Sequence, residues 1–173
     1  MDDSTDATVR PYDHDADWPA LWSLKRAFER ELGSADDEKA ARYEGKLTDD
    51  YRAGYREWVA DCVRRDPGCV LVADDDGPVG YCFLLPADLA YIWDAAVVNE
   101  LYLAPEYRGS GLADDLFEAA LAHAAEQSLP LDRVVLDVDP ENERAARFYE
   151  RFDFEPWAEL VARSVGGTKR SRR

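Results

Sequence analysis

The chain has 173 residues, of which 46% are hydrophobic, with five Trp and nine Tyr; this excludes a disordered protein and fits one domain with a single core. Its net charge of −16 gives no reason to expect a nucleic-acid partner. No apolar run approaches the ~18 residues of a membrane span and residues 2–6 are mostly acidic, so we expect no membrane segment, no secretory signal and a cytoplasmic protein.

One folded domain is predicted between two tails. Residues 1–7 are expected to form a flexible acidic tail, and residues 166–173, rich in Gly, Lys and Arg, a flexible basic tail. Residues 8–165 then form the domain.

The first part of the chain predicts a strand and two helices. Residues 8–10 are expected to form a short strand. Apolar residues at helical spacing from 18 to 32 predict a helix, with Asp15 or Asp17 as its N-cap. A cleaner apolar stripe over residues 51–63 predicts a second helix.

The rest of the chain alternates strand-like and helix-like segments. The predicted elements are a hairpin of strands 69–73 and 79–85, a fourth strand within 95–103, a helix over 113–124, a fifth strand over 134–138, a helix over 145–152 and a sixth strand over 157–161. This alternation indicates a mixed α/β layer fold rather than a bundle or a sandwich.

The most informative segment covers residues 99–113, where a strand-like run passes through a Pro turn and a small-residue loop into an amphipathic helix. Such a loop leaves N–H groups unpaired at a helix N-terminus, where the helix dipole favours an anion. Gly109 and Gly111 let the backbone approach a phosphate closely, because they have no Cβ. The segment therefore predicts a pyrophosphate-binding loop.

Two nucleotide-binding motifs do not fit this loop. A dinucleotide fold needs a third glycine where the chain has Asp114, and needs the motif near the first strand rather than past mid-chain. The Gly-x-x-x-x-Gly-Lys-Ser/Thr phosphate loop is absent from the sequence.

The loop resembles the acetyl-CoA-binding motif of the GNAT superfamily of N-acetyltransferases. That signature is Gln/Arg-x-x-Gly-x-Gly/Ala, and the six residues from Arg108 to Ala113 match all of its defined positions. The resemblance implies acetyl-CoA as acyl donor and no metal. The implied cofactor-binding residues are the strand end Leu101, Tyr102 and Leu103, whose backbone orients the pantetheine arm and acetyl carbonyl, and the loop residues Arg108, Gly109, Ser110, Gly111, Leu112 and Ala113.

A second segment, residues 137–152, resembles the family's fifth strand and the helix after it. There an Asn is followed seven residues later by a Tyr, as Asn142 and Tyr149 are here. The resemblance implies that Asn142 contacts the CoA arm and that the Tyr149 hydroxyl lies near the thioester sulfur. It covers residues 69–157 well and the amino-terminal third only in outline.

Two features depart from the family pattern. Asp153 stands where the family usually has a Gly in the left-handed conformation, which Asp tolerates less well. The sequence after Phe154 is short for a closing pair of strands, so a seventh strand is expected either to be missing or to come from a partner chain, which makes a homodimer attractive.

Two residues are candidates for acid–base chemistry. Tyr149 is the candidate general acid, because a phenol stays protonated at pH 7 and can donate to a departing thiolate; the alternative is that it only packs in an apolar stripe. Glu100 interrupts an apolar strand, where a charge needs a partner or a chemical task. It is the candidate general base, with a rim carboxylate or an Arg ion pair as the alternative.

The expected protein is therefore a GNAT-type α/β (α+β) domain: a mixed, mostly antiparallel sheet of six or seven strands flanked by about four helices. The implied function is transfer of acetyl from acetyl-CoA to a primary amine, on a protein N-terminus, a lysine or a small molecule. The alternative is a non-catalytic acyl-CoA-binding module. The acceptor site is expected between the first two helices and the loop at residues 86–93.

The remaining features have simpler interpretations. The charge fits either a basic partner or a salt-adapted surface, and the excess of Asp and of Arg over Lys favours salt adaptation. Cys62, Cys69 and Cys82 are expected to be buried free thiols. The acidic triplet at 74–76 is interpreted as a solvated turn rather than a metal site.

Overall fold

The computed structural model describes residues 6–34 and 36–165. These residues form two compact units, one ending at Leu136 and one beginning at Asp137. Most of the predicted acidic tail (residues 1–5) and all of the predicted basic tail (residues 166–173) lie outside the described residues.

The first unit contains four helices and five strands among its described residues, and the second contains one helix. In chain order they are β1 (Thr8–Pro11), α1 (His14–Leu32), α2 (Asp37–Gly45), α3 (Asp49–Arg65), β2 (Val70–Asp74), β3 (Pro78–Leu84), β4 (Ala96–Leu103), α4 (Leu112–Glu126), β5 (Val134–Val135) and α5 (Glu143–Glu150). Short 3-10 turns occupy Ala90–Ile92 and Pro105–Tyr107.

The sheet has the order β1-β2-β3-β4-β5, with antiparallel pairing up to β4 and parallel pairing between β4 and β5. The pairing of β3 with β4 is irregular at one point, because Phe83 pairs with Glu100 whereas the next residue, Leu84, pairs with Val98. A bulge of this kind bends and twists the strand that carries it. The mixed, mostly antiparallel architecture is as predicted.

The strand count differs from the prediction of six or seven. The predicted sixth strand, residues 157–161, has no regular structure, and Leu160 is 77% exposed. The predicted fifth strand is only Val134–Val135, paired with Ala96 and Val97 of β4. Apolar β-favouring residues predict where a strand can form, but the strand also needs a neighbouring edge to pair with.

Five helices are present among the described residues instead of about four. The additional helix, α2, has no buried residue, so it has no apolar stripe from which to predict it. Its start is fixed by Asp36, whose side chain accepts a hydrogen bond of 2.8 Å from the N–H of Lys39.

The N-cap of α1 is Asp13, rather than Asp15 or Asp17. Asp13 Oδ1 accepts from the N–H groups of Asp15 at 3.0 Å and Ala16 at 3.2 Å. Asp17 is instead 4% exposed and pairs with Arg10 of β1 at 2.7 Å. An Asp caps a helix only if the helix begins directly after it. Asp17 lies inside α1, and its side chain forms an ion pair with Arg10 instead.

Aromatic side chains fill the core between the helices and the sheet. Trp18 and Trp22 of α1 and Tyr55 of α3 pack with Tyr81 and Phe83 of β3. Because side chains alternate along a strand, the intervening residues of β3 face the opposite side of the sheet, and α4 packs against β2 and β3. The first unit thus has helices on both faces of its sheet.

The second unit is organised around α5. The side chain of Asn142 caps this helix by accepting from the N–H of Ala145 at 3.1 Å. After the helix, Asp153 has φ of +62° and the N–H of Phe154 donates to the carbonyl of Tyr149 at 3.1 Å. Asp153 therefore adopts the left-handed conformation that the family resemblance assigns to a Gly at this position.

Candidate functional site

The loop between β4 and α4 ends in an unusual helix start. Gly111 is the N-cap of α4 with φ of +88° and offers no capping side chain, and the neighbouring Ser110 hydroxyl accepts from the N–H of Leu112 at 3.4 Å. Gly109 also has a positive φ, +80°. A Cβ at either position would meet nothing within 4 Å, so the glycines are required by backbone conformation and not by lack of space.

Several amides of this loop are available to a ligand. In the part of the chain that the structure describes, no protein acceptor lies on the N–H groups of Gly109, Ser110, Gly111 and Ala113. The Ser110 hydroxyl donates to the carbonyl of Tyr107 at 2.6 Å, which holds the loop in shape. Free amides at the N-terminus of a long helix fit an anionic group such as a pyrophosphate.

Arg108 holds the loop against the rest of the unit. Its Nε donates to the carbonyl of Leu103 at 3.0 Å and its Nη2 to Glu31 of α1 at 2.8 Å. The guanidinium also lies 5.4 Å from the centre of the Tyr102 ring. The side chain therefore fixes the loop at the end of β4, and it keeps 25% of its surface exposed.

The edge of β4 next to this loop is open. β5 pairs only with Ala96 and Val97, so no strand among the described residues pairs with the far edge of residues 98–103. Leu101, Tyr102 and Leu103 lie in this stretch. An unpaired strand edge offers backbone N–H and C=O groups to an extended ligand.

Glu100 lies at the centre of a buried cluster, which we call the Glu100 cluster: Lys25, Glu29, Tyr55, Tyr81 and Glu100. The Glu100 carboxylate accepts from Lys25 Nζ at 2.7 Å, from the Tyr55 hydroxyl at 2.9 Å and from the Tyr81 hydroxyl at 2.7 Å. Glu100 is 6% exposed. It is thus neither a rim carboxylate nor the partner of an Arg, but one half of a buried ion pair with Lys25.

A second carboxylate completes the charge balance of the cluster. Lys25 Nζ lies 2.5 Å from Glu29, one turn further along α1, and Glu29 is 2% exposed. The other Glu29 oxygen lies 2.7 Å from Lys46 Nζ, whose side chain is 40% exposed. Two buried carboxylates are therefore matched by two ammonium groups, one buried and one at the surface.

The ionisation states of the donors follow from this arrangement. Burial lowers the pKa of Lys25, but the carboxylates of Glu100 and Glu29 outweigh it and leave that pKa raised. Burial, and then the charge of Glu100, raise the pKa of Tyr55 and of Tyr81 well above 10. Lys25 therefore stays charged and both phenols stay protonated as donors.

Asn142 is the N-cap of α5 in the second unit, and Tyr149 lies near the other end of the same helix. The side-chain oxygen of Asn142 is used in capping this helix. Tyr149 is half-buried, with its ring centre 5.4 Å from that of Phe148 and 5.8 Å from that of Phe154. The structure thus brings Glu100, residues 101–103 and residues 108–113 into one unit, and Asn142 and Tyr149 into the other.

The other polar candidates have structural roles. Cys62, Cys69 and Cys82 are buried free thiols, as predicted, and burial raises the pKa of Cys62 to about 11 and of Cys82 to about 12. His123 pairs with Asp66 at 2.8 Å. No group of three His, Cys, Asp or Glu residues suited to a metal ion occurs among the described residues.

Sequence reasoning did not place Lys25, Glu29, Tyr55 or Tyr81 beside Glu100. Lys25 and Glu29 interrupt the apolar stripe of α1 at positions where i, i+4 spacing turns them toward the core. Tyr55 and Tyr81 look like ordinary apolar members of a helix and a strand. The signal that could have found the two charged residues is a Lys and a Glu, one turn apart, on the predicted buried face of a helix.

Comparison with known proteins decides the family. Residues 18–154 match the Acetyltransferase (GNAT) family. The chain belongs to this family.

Similar proteins agree with this assignment. An uncharacterised N-acetyltransferase of Mycobacterium tuberculosis is 38% identical over 104 residues, covering 59% of this chain and 60% of that protein. The peptidyl-lysine N-acetyltransferase YjaB of Salmonella typhimurium is 30% identical over 108 residues, covering 62% of this chain and 63% of that protein. The chain thus spans about three fifths of the length of these curated relatives.

A solved structure shows the same fold. PaiA N-acetyltransferase from Thermoplasma acidophilum, in complex with coenzyme A, superposes with a TM-score of 0.60 at 18% identity, covering 84% of this chain and 87% of that one. No described helix of this GNAT protein has the length and apolar character to cross a membrane.

The Glu100 cluster generates a stability prediction. Lys25→Met leaves two buried carboxylates without their shared cation, so we expect a loss of roughly 3–5 kcal/mol in the free energy of unfolding, measured by urea denaturation. Lys25→Met combined with Glu100→Gln should cost less than the sum of the single changes, because the two residues act as one unit.

The exposed pair Arg42–Glu38 on α2, with side chains 70% and 79% exposed, supplies the control. Arg42→Met should change stability by no more than about 0.5 kcal/mol. A Lys25→Met loss as small as that of Arg42→Met would show that the cluster contributes nothing to stability.

Proposed function

We propose that this protein is an acetyl-CoA-dependent N-acetyltransferase that acetylates a primary amine. One observation carries the proposal: the loop at residues 109–113 presents unpaired amides at a helix N-terminus, directly after an open strand edge at residues 98–103. A pyrophosphate fits the first feature and an extended pantetheine arm fits the second. The coenzyme A bound to the Thermoplasma relative supports this choice of donor.

The proposed reaction is direct transfer. The amine nitrogen attacks the thioester carbonyl, the C–S bond breaks, the amine loses a proton to a base and the thiolate takes a proton from an acid. Holding both reactants in line lowers the barrier by several kcal/mol. Backbone N–H groups at the end of β4 are suited to stabilise the oxyanion.

The acceptor, the domain organisation and the cellular compartment are also proposals. The peptidyl-lysine activity of the Salmonella relative supports a lysine or another primary amine as acceptor. The exposed Tyr91, Ile92 and Trp93 of the 86–93 loop support that loop as part of the acceptor site.

We propose that the two units act as one catalytic domain and that the protein works in the cytoplasm. We also propose that its acidic surface is an adaptation to high salt.

A homodimer is proposed from the exposed apolar residues after α5. Leu160, Val161 and Val165 are 77%, 83% and 99% exposed. A contiguous exposed apolar patch marks an interaction site, and these residues are the candidates for one.

Release of free thiol from acetyl-CoA with pooled amines at high salt tests the activity. We expect thiol release by the unchanged protein and a CoA affinity reduced roughly tenfold by Gly111→Ala, because a side chain at φ of +88° costs about 1–2 kcal/mol. Gly54→Ala, on the exposed face of α3 with open space around it, should leave affinity unchanged. Tight CoA binding without thiol release would indicate a non-catalytic acyl-CoA-binding module, and absence of CoA binding would contradict both functions.

Tyr149 is the proposed general acid. Tyr149→Phe removes only the hydroxyl, so we expect turnover to fall roughly 10- to 1,000-fold with little change in acetyl-CoA affinity, measured by steady-state kinetics and calorimetry. Tyr107→Phe is the matched control. Its hydroxyl donates to Asp75 of the β2–β3 turn, so removing that hydroxyl should leave turnover unchanged. Unchanged turnover of Tyr149→Phe would leave Tyr149 as a packing residue.

Glu100 is the proposed general base, acting through its neighbours. Both of its oxygens already accept hydrogen bonds, Oε1 from Lys25 and Oε2 from two phenols. A proton from the amine would therefore reach Glu100 by way of the Tyr55 or Tyr81 hydroxyl, which would give its own proton to Oε2 and take up the proton of the amine. The competing role is a purely structural ion pair, which the same contacts support.

The pH dependence of kcat/KM separates these roles, because its acid limb reports protonation of the catalytic base. We expect Glu100→Gln to remove that limb. Glu29→Gln is the matched control, because Glu29 is also buried against Lys25 but lies outside the proposed proton path. An acid limb that persists in Glu100→Gln would assign Glu100 to structure alone.

A further inference from the structure

A groove between α1 and α3 contains two arginines with no carboxylate partner. The groove has a volume of about 750 Å³ and is lined by His14 and Trp18 from α1 and by Asp49, Arg52, Ala53, Arg56, Glu57 and Ala60 from α3. We call it the α1–α3 groove. Its volume lies in the range of roughly 300–1,000 Å³ that is typical of small-molecule sites.

The two arginines of the groove lack the ion pairs that most other arginines of the first unit make. Six of those others are ion-paired, namely Arg10, Arg30, Arg42, Arg64, Arg65 and Arg108, whereas Arg26 of α1 also lacks a carboxylate within ion-pair distance among the described residues. Arg52 and Arg56 have no carboxylate within ion-pair distance in the described part of the chain. Two guanidinium groups outside any ion pair are unexpected in a protein with a net charge of −16.

The arrangement of these groups suits one anionic group beside the half-buried ring of His14, while Trp18, which also lines the groove, is only 4% exposed. Arg52 and Arg56 are one turn apart on α3 and so lie on the same face. The Arg56 guanidinium is 5.7 Å from the centre of the Trp18 ring. Burial, and then the charge of Arg56, lower the pKa of His14 even though Asp13 and Asp15 oppose this, so His14 adds a neutral ring beside the arginines.

The same lining limits the charge of the ligand. Asp49 and Glu57 also face the groove, and both would repel a doubly charged phosphate more than a singly charged group. An ammonium group on the ligand would be tolerated next to them. The planar carboxylate matches the guanidinium fork.

We propose that the α1–α3 groove binds the carboxylate of a small aromatic monocarboxylate, with an aromatic amino acid as the zwitterionic form. The α3 residues that line the groove lie outside the buried stripe of Tyr55, Val59 and Cys62. No residue of the Glu100 cluster lines the groove. This ligand is therefore additional to the donor and acceptor of acetyl transfer.

Calorimetric titration of the whole chain tests the proposal with four probes: benzoate, L-phenylalanine, phenyl phosphate and benzylamine. We expect benzoate and phenylalanine to bind, phenyl phosphate to bind more weakly, and benzylamine, which has no carboxylate, not to bind. Arg52→Gln combined with Arg56→Gln should weaken benzoate binding roughly tenfold or more, since charge-assisted hydrogen bonds are lost.

Arg64→Gln is the matched control, because Arg64 is an exposed arginine of α3 that pairs with Asp61 outside the groove. It should bind benzoate like the unchanged protein, and circular dichroism should show all variants folded. Absence of binding by both carboxylates at millimolar concentration would overturn the proposal, as would equal benzoate affinity in the double variant. Neither result bears on acetyl-CoA binding, so the proposed acetyltransferase function is tested separately.

Discussion

The buried ion pair between Lys25 and Glu100 is the interaction on which the first unit depends most. It joins α1 to β4, and the phenols of Tyr55 and Tyr81 add α3 and β3 to the same carboxylate. Burying charges costs several kcal/mol for each ion, so the pair is tolerable only because every partner is present. The geometry of β4 and the position of the two helices above it are thus fixed together.

This constraint acts at the point where β4 changes its pairing. Glu100 sits at the bulge between β3 and β4, just after the residues that pair with β5. From there the strand continues with one open edge into the loop that Arg108 ties to α1 through Glu31. The amides offered to a ligand are consequently held by α1 at two places, through Lys25 and through Glu31. A preorganised loop of this kind binds without the cost of ordering it first.

Much of this was predictable from sequence because local rules and tertiary structure agree. Gly109 and Gly111 have the positive φ that the loop conformation requires. The apolar residues of α3 lie on one face of the helix, so that face is the one that is buried. The family resemblance supplied what such rules cannot, namely acetyl-CoA as the expected donor and expected roles for Asn142 and Tyr149. Both signals are short-range, so each can be found within about 20 residues of sequence.

The predictions that failed had different causes. Helix α2 has a local cap, Asp36, but no apolar stripe to indicate it, and residues 157–161 have a strand-like pattern without a pairing edge. The buried partner of Glu100 could not be predicted, because Lys25 lies 75 positions away in the sequence. A sequence shows that a buried charge needs a partner, but the fold chooses which one.

Amide hydrogen exchange with and without CoA tests the central claim most directly, because it reports on individual backbone groups. The account predicts that CoA slows exchange at Gly109, Ser110, Gly111 and Ala113 and along the open edge of β4, with little change in β1 and β2. Protection that spares residues 109–113 while CoA is bound would contradict the claim that these amides hold the donor.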